Sequence, residues 1–153
     1  MRVIQGSYDG GGLRIGVVVS RSNELLTKQL LVGALDGLRR HGVGKDAITV
    51  VYVPGIAELP LACRRLAARG SHDALIVLGV ELGGVAGQNT LAAATIGIAA
   101  ASVETGVPIA LGVLASDTPE SALERAGGRG SNRGFEAALT AIEMARVLQQ
   151  IGS

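Results

Sequence analysis

Four short apolar runs constrain this chain more than any other feature: residues 13–19, 48–53, 74–80 and 109–114, all rich in Val, Ile and Leu. None of them alternates apolar with polar residues, so neither side of a strand built from them is suited to water. Helical patterns separate the runs. Leu26, Leu30, Ala34 and Leu38 form one row at i+4 spacing, with Ser22-Asn23 ahead offering cap oxygens and Arg39-Arg40-His41-Gly42 closing the element. A second helix spans 58–69 with Pro60 in its first turn and Gly70 after it. A third runs from about residue 88 to 104, behind a Gly-rich turn, and a short one begins at Thr118-Pro119-Glu120 and ends near Ala126. The last sets Phe135, Ala138, Leu139, Ile142 and Ala145 against Glu136, Glu143 and Arg146. Strand runs alternating with helices predict an α/β protein, a three-layer α/β/α sandwich around a mostly parallel four-stranded sheet. One domain covers residues 1–153, and ligands of such a sheet bind at the carboxyl ends of its strands. Residues 1–12 stand apart as an arm; a strand pairing with a neighbouring subunit and a frayed terminus are both open readings.

Composition then removes whole classes of function. A net charge of +1 gives no electrostatic reason for nucleic acid or an anionic membrane as partner. Tyr8, Tyr52 and Phe135 are the only aromatic residues, which argues against a ring-lined pocket or a base-stacking platform within one subunit. The lone Cys63 excludes an internal disulfide and fits a reducing, cytoplasmic setting; as a small thiol on a helix it reads as core, although Arg64 and Arg65 adjoin it. The opening Met1-Arg2-Val3-Ile4-Gln5-Gly6 lacks the basic-then-apolar pattern of a signal segment. Residues 82–103 carry no charge, but glycines and amides break their first third, leaving too short an apolar stretch to span a bilayer. His41 and His72 are not at metal-ligand spacing and read as surface residues.

Strand ends single out four places. Ser22 and Asn23 follow the first strand, where they serve either as helix caps or as hydrogen-bonding groups for a ligand. Pro54-Gly55-Ile56-Ala57-Glu58-Leu59-Pro60 follows the second; two prolines bracket one acid, which a helix dipole alone also explains. Gly83-Gly84-Val85-Ala86-Gly87-Gln88 follows the third and runs into a helix, where backbone N–H groups can receive an anion, although the nucleotide-binding glycine motifs are absent. Near the fourth, Arg125, Arg129 and Arg133 are spaced by glycines and can fork onto a phosphate, or can simply be solvated helix-end arginines.

Taken in order, Ile4-Gln5-Gly6, Gly16-Val17-Val18-Val19-Ser20-Arg21-Ser22-Asn23, the turn 53–60, Leu78-Gly79, Thr105-Gly106-Val107-Pro108, Glu124-Arg125-Ala126-Gly127, Asn132-Arg133-Gly134 and residues 141–145 resemble the lumazine synthases over essentially the whole chain. The Pro-Gly-x-x-Glu-x-Pro turn and the Arg-Ala-Gly…Asn-Arg-Gly pair are its specific parts. The resemblance implies a flavodoxin-like fold and a transferase of riboflavin biosynthesis. Such an enzyme condenses 5-amino-6-ribitylaminouracil with 3,4-dihydroxy-2-butanone 4-phosphate, losing phosphate and water, without metal or cofactor. It further implies a homopentamer, or a 60-subunit icosahedral shell, with the site between adjacent subunits and the N-terminal arm added to a neighbour's sheet. By the same resemblance Asn23, beside Ser22, contacts the pyrimidine or ribityl end, and Glu58, beside Ala57, the ribityl hydroxyls. Backbone groups of Val80, Glu81 and Leu82 read the uracil edge; N–H groups of Gly84, Val85 and Ala86 with Arg125 hold the phosphate. Arg133, supported by Glu136, lies near the reacting carbonyl, and Gln88 takes the place of a catalytic His. Ser22, Ala57 and Leu111 stand where the family carries rings. Those departures keep two other readings open: a weak or inactive shell-forming paralogue, and an enzyme or binder repurposed for another phosphorylated small molecule.

Overall fold

The structure, a computed structural model, describes residues 1–127 and 131–152. Its elements are β1 (Ile15–Ser20), α1 (Glu24–Arg40), β2 (Ile48–Val53), a 3-10 turn at Ile56–Glu58, α2 (Leu59–Ala68), β3 (Ala74–Glu81), α3 (Gly84–Thr105), β4 (Ile109–Ala115), α4 (Pro119–Arg125) and α5 (Arg133–Ile151). The four strands form one sheet in the order β2-β1-β3-β4, every neighbouring pair parallel. Ile15 lies opposite both Ile48 and Ala74, and Leu75 opposite Ile109. This is the expected three-layer flavodoxin-like arrangement, and the strand order reverses between β1 and β3.

The non-alternating runs are explained by where the helices lie. Val17 and Val19 of β1, and Ile76, Leu78 and Val80 of β3, pack with Leu30, Ala34 and Leu38 of α1 and Ala138, Ala141 and Ile142 of α5. On the other face Val18, Leu75 and Val77 pack with Leu59, Cys63 and Ala67 of α2 and Ala94 and Ile98 of α3. Successive side chains therefore enter different apolar layers, each large side chain contributing roughly 1.5–3 kcal/mol by leaving water. The two outer strands are less covered, and Leu111 on β4 and Tyr52 on β2 are exposed.

Close approach of α1 and α5 depends on glycine. A Cβ at Gly33 would collide with the Asn132 side chain, and one at Gly37 would stand 3.0 Å from Ala138 Cβ. Mid-helix Gly is unfavourable by about 1 kcal/mol relative to Ala, so here the packing it permits outweighs its propensity.

One expectation is corrected, and two others are sharpened. Helix α3 begins at Gly84 rather than near Gln88, because the glycines taken as a loop form its first turn against the Glu81 side chain. Of the two readings of the arm, fraying does not fit, because within the chain it is tied back along α5. Gly10 N–H donates to His41 O (2.6 Å), Arg146 donates from Nε to Asp9 O and from Nη2 to Gly11 O (2.8 Å each), and Gln150 Nε2 donates to Gln5 O (2.6 Å). His41 and His72 are partly exposed residues at the surface, each with a packed ring. The His41 ring stands edge-on between Tyr8 (6.2 Å) and Phe135 (6.1 Å), its Nδ1 at 2.7 Å from Gly37 O. His72 Nε2 lies 3.1 Å from Thr49 Oγ1, and burial, aided by Arg14 and Arg69, pushes its pKa down.

Candidate active site

The carboxyl ends of β1, β2 and β3 meet where the strand order reverses, and their turns are tied together by side chains. Ser22 Oγ donates to Pro54 O (3.3 Å), joining the turn after β1 to the one after β2. The space over Gly55 is shared by Ser22 Oγ and Glu58 Oε1, at 3.2 and 3.3 Å from where a Cβ would stand. Gly55 thus lets an alcohol and a carboxylate approach the same space. The 3-10 turn Ile56–Glu58 packs on α3 and fills, with Ile56 Cδ1, the space left by Gly79 of β3.

Asn23 is the most informative residue at this edge. It occupies the N-cap position of α1, its carbonyl accepting from Leu26 and Thr27 N–H, yet its side chain caps nothing. The amide Nδ2 instead donates across the switch point to Val80 O at 2.8 Å. Its backbone is left-handed (φ 56°, ψ 53°), making it the one non-glycine residue with positive φ among the described residues. That conformation is disfavoured for an L-residue, though Asn tolerates it best. Such strain, held by a cross-turn hydrogen bond, is a recurrent property of ligand sites. The cap reading of the sequence is therefore right for the backbone and wrong for the side chain.

The third turn supplies donors and a carboxylate. Gly87 N–H makes the first bond of α3, to Gly83 O (3.2 Å), so the N–H groups of Gly84, Val85 and Ala86 are unclaimed within the helix. Of the residues whose backbone groups are expected to read a ligand, two have their carbonyls engaged, Val80 O by Asn23 and Glu81 O by Ser116 N–H (3.0 Å). Arg125, at the end of α4, donates from Nη1 to Ala115 O (3.2 Å); Ala115 is paired with Glu81, which brings the guanidinium to the same edge. Gln88 is exposed in the second turn of α3.

The remaining candidates belong to other elements. Arg133 opens α5, with Nε 3.4 Å from Glu136 Oε2, the expected supporting acid. The neighbouring Asn132 donates to Gln29 O (3.1 Å), about one and a half turns along α1 from Asn23, or about 9 Å down its flank. Asn132 also donates to Ala126 O (3.0 Å), next to Arg125, while Leu111 lies midway along β4. Arg129 lies outside the described residues. A groove of about 970 Å³ runs beside Asn132, Phe135 and Glu136 against Val32 and Asp36 of α1, on this flank rather than at the strand ends. Cys63 is buried under α2, and burial pushes its thiol up to about 12, so the adjacent arginines do not activate it. Among the described residues no three His, Cys, Asp or Glu side chains are placed to hold a metal ion, and no helix is long and apolar enough to cross a membrane.

Sequence reasoning passed over the side chain of Glu81. It uses only the backbone of that residue, yet a Cβ at Gly87 would fall 2.7 Å from Glu81 Cγ and 3.0 Å from Oε1. The half-buried carboxylate is folded over the first turn of α3. An acid ending a wholly apolar strand, just before glycines, is the signal that marks it.

Fold and edge together define a parallel α/β protein of the kind that holds small polar ligands at the carboxyl ends of its strands, at a topological switch point. Residues 12–149 match the family model described as 6,7-dimethyl-8-ribityllumazine synthase. Proteins bearing that name are similar over nearly the full length. The one from Thermotoga neapolitana is 50% identical, covering 99% of this chain and 92% of its own. Those from Thermotoga maritima (49%) and Kosmotoga olearia (46%) cover the same share of this chain, and 93% and 98% of their own. The chain belongs to the 6,7-dimethyl-8-ribityllumazine synthase family.

Proposed function

We propose that this protein joins 5-amino-6-ribitylaminouracil and 3,4-dihydroxy-2-butanone 4-phosphate to give 6,7-dimethyl-8-ribityllumazine, releasing phosphate and water. Identity of 46–50% over essentially the whole chain with proteins of that name carries the reading. The edge chemistry agrees with it. Asn23 and Glu58 present hydrogen-bonding groups suited to a pyrimidine bearing a polyol, and the free N–H groups of Gly84, Val85 and Ala86 with Arg125 suit a phosphate. Joining an amine to a ketone gains most from being held in position, which a polar edge without rings can still provide.

The chain works in this reading as a homo-oligomer, pentamer or 60-subunit shell, in the cytoplasm. Three features support self-association. Arg133 pairs with Glu136 at the start of α5, in the role the resemblance gives a residue at a subunit boundary. Helix α3 exposes Val85, Ile96 and Val103, an apolar face that association would cover. The outer strands β2 and β4 each have an unpaired edge, and the arm starts free of any ladder.

Mixing the purified protein with both substrates, and following lumazine absorbance with released phosphate and particle mass, tests this. Product formation at a rate above the spontaneous reaction is expected, from an assembly larger than one chain. Intact large particles with no product at high protein concentration would refute the enzymatic reading. Arg125→Ala is expected to raise KM for the phosphorylated substrate selectively.

A further inference from the structure

The condensation requires protons to move from nitrogen to oxygen, and the residue in the His position, Gln88, cannot exchange one near neutral pH. Both histidines are remote: His41 lies at the end of α1 between Tyr8 and Phe135, and His72 beside Thr49 at the amino edge of the sheet. We propose that the Glu81 side chain is the proton-transfer group of this site, an inference that rests on the reaction proposed above.

Its position carries the argument. In β3, Val77 and Gly79 face the α2–α3 layer, and the two-residue period turns Glu81 the same way at the open end of the strand. The preceding carbonyl is the one that Asn23 holds, and the residue opposite on β4 is the one that Arg125 holds. Glu81 is thus the strand residue next to the carbonyl held by Asn23 and opposite the residue held by Arg125, and its carboxylate lies over the first turn of α3, beside the N–H groups assigned to the phosphate. Among the described residues nothing hydrogen-bonds or ion-pairs with it. Glycines at 83 and 87 leave the room it occupies: Cβ atoms there would stand 3.2 and 3.0 Å from Oε1. Glu58, the other carboxylate of this edge, is exposed and turned toward Gly55. Arg21, directly after β1, and Glu58 and Arg125 are charged residues of the same edge.

The step is balanced without a co-reactant. As the amine nitrogen bonds to the ketone carbon, Glu81 accepts an N–H proton and returns it to the former carbonyl oxygen, giving a carbinolamine. It then takes the second N–H proton to the hydroxyl, which leaves as water while the C=N bond forms.

Glu81→Gln, close in shape, tests the role against a structural one. Expected are a fall in kcat of roughly 10²–10⁴-fold with KM little changed, loss of the acid limb of the kcat–pH profile, and partial recovery in Glu81→Asp. Gly87→Ala keeps the acid but puts a methyl group where it lies; kcat is expected to fall while thermal stability holds, since Ala favours the helix. Wild-type turnover with Glu81→Gln within about threefold and its acid limb intact overturns the proposal and leaves the reaction standing. A loss of activity in Glu81→Gln that tracks loss of folded assembly, with Gly87→Ala fully active, also overturns it. No turnover by the wild-type chain overturns both.

Discussion

Asn23 makes two separable contributions to the site, and a pair of substitutions divides them. In Asn23→Ala the hydrogen bond from Nδ2 to Val80 O is gone and a residue with a Cβ but no local hydrogen-bonding side chain is held at φ 56°. The first loss is worth about 0.5–1.5 kcal/mol and the second about 1–2 kcal/mol. Together they give about 1.5–3.5 kcal/mol, or a fall in melting temperature of roughly 3–14 °C for a chain of this size. In Asn23→Gly the hydrogen bond is equally lost, but glycine adopts the left-handed region freely. Its cost should therefore be only about 1 kcal/mol, roughly 2–4 °C. Both variants remove the amide from the edge, so both should bind the ribityl substrate more weakly. Thermal and urea unfolding must be compared at one protomer concentration, because association contributes to apparent stability. Ala above Gly in stability, or the two equal, would show that the left-handed backbone is not what sets the requirement here.

Three other substitutions test the packing and the arm. Gly33→Ala places a methyl group against the Asn132 amide, and the α1–α5 contact should loosen by about 1–3 kcal/mol, read as a lower melting temperature. His41→Ala removes the ring between Tyr8 and Phe135, and amide deuterium exchange across residues 2–11 should accelerate while that of β1 and β3 is unchanged. Burial raises the Cys63 thiol from 9.0 to about 12, so the folded state stays protonated where the unfolded state ionises. Its contribution is fully present below pH 9 and is lost as the pH rises toward 12, at up to about 1.4 kcal/mol per unit. Comparing wild type with Cys63→Ala in urea should show this extra alkaline slope in the wild type alone.

What the sequence made legible follows from which forces act locally. The strands are readable because each run is largely apolar without alternation, and only a sheet covered on both faces accepts Val17, Val18 and Val19 in succession. Thr118 was equally readable: a cap oxygen followed by Pro119 starts α4, and Thr118 Oγ1 accepts from Ser121 N–H at 3.1 Å. Where local preference and tertiary contact disagree, the reading failed. Glycine's poor helix propensity hid the first turn of α3, since nothing within residues 83–88 reveals that Glu81 occupies the space their missing side chains leave. Asn23 shows the same division inside one residue, its cap position being a local property and its bond to Val80 a non-local one. The sites divide along this line too. Residues tied by strand order, such as Ser22, Asn23, Glu58 and Arg125, come to one edge because parallel strands must end together. Arg133 is fixed by the packing of α5 on α1, through Asn132 and Gly33, so its placement follows from the same two glycine-dependent helices that close the core. The contact that makes the protomer compact is thus the one that fixes where this arginine stands.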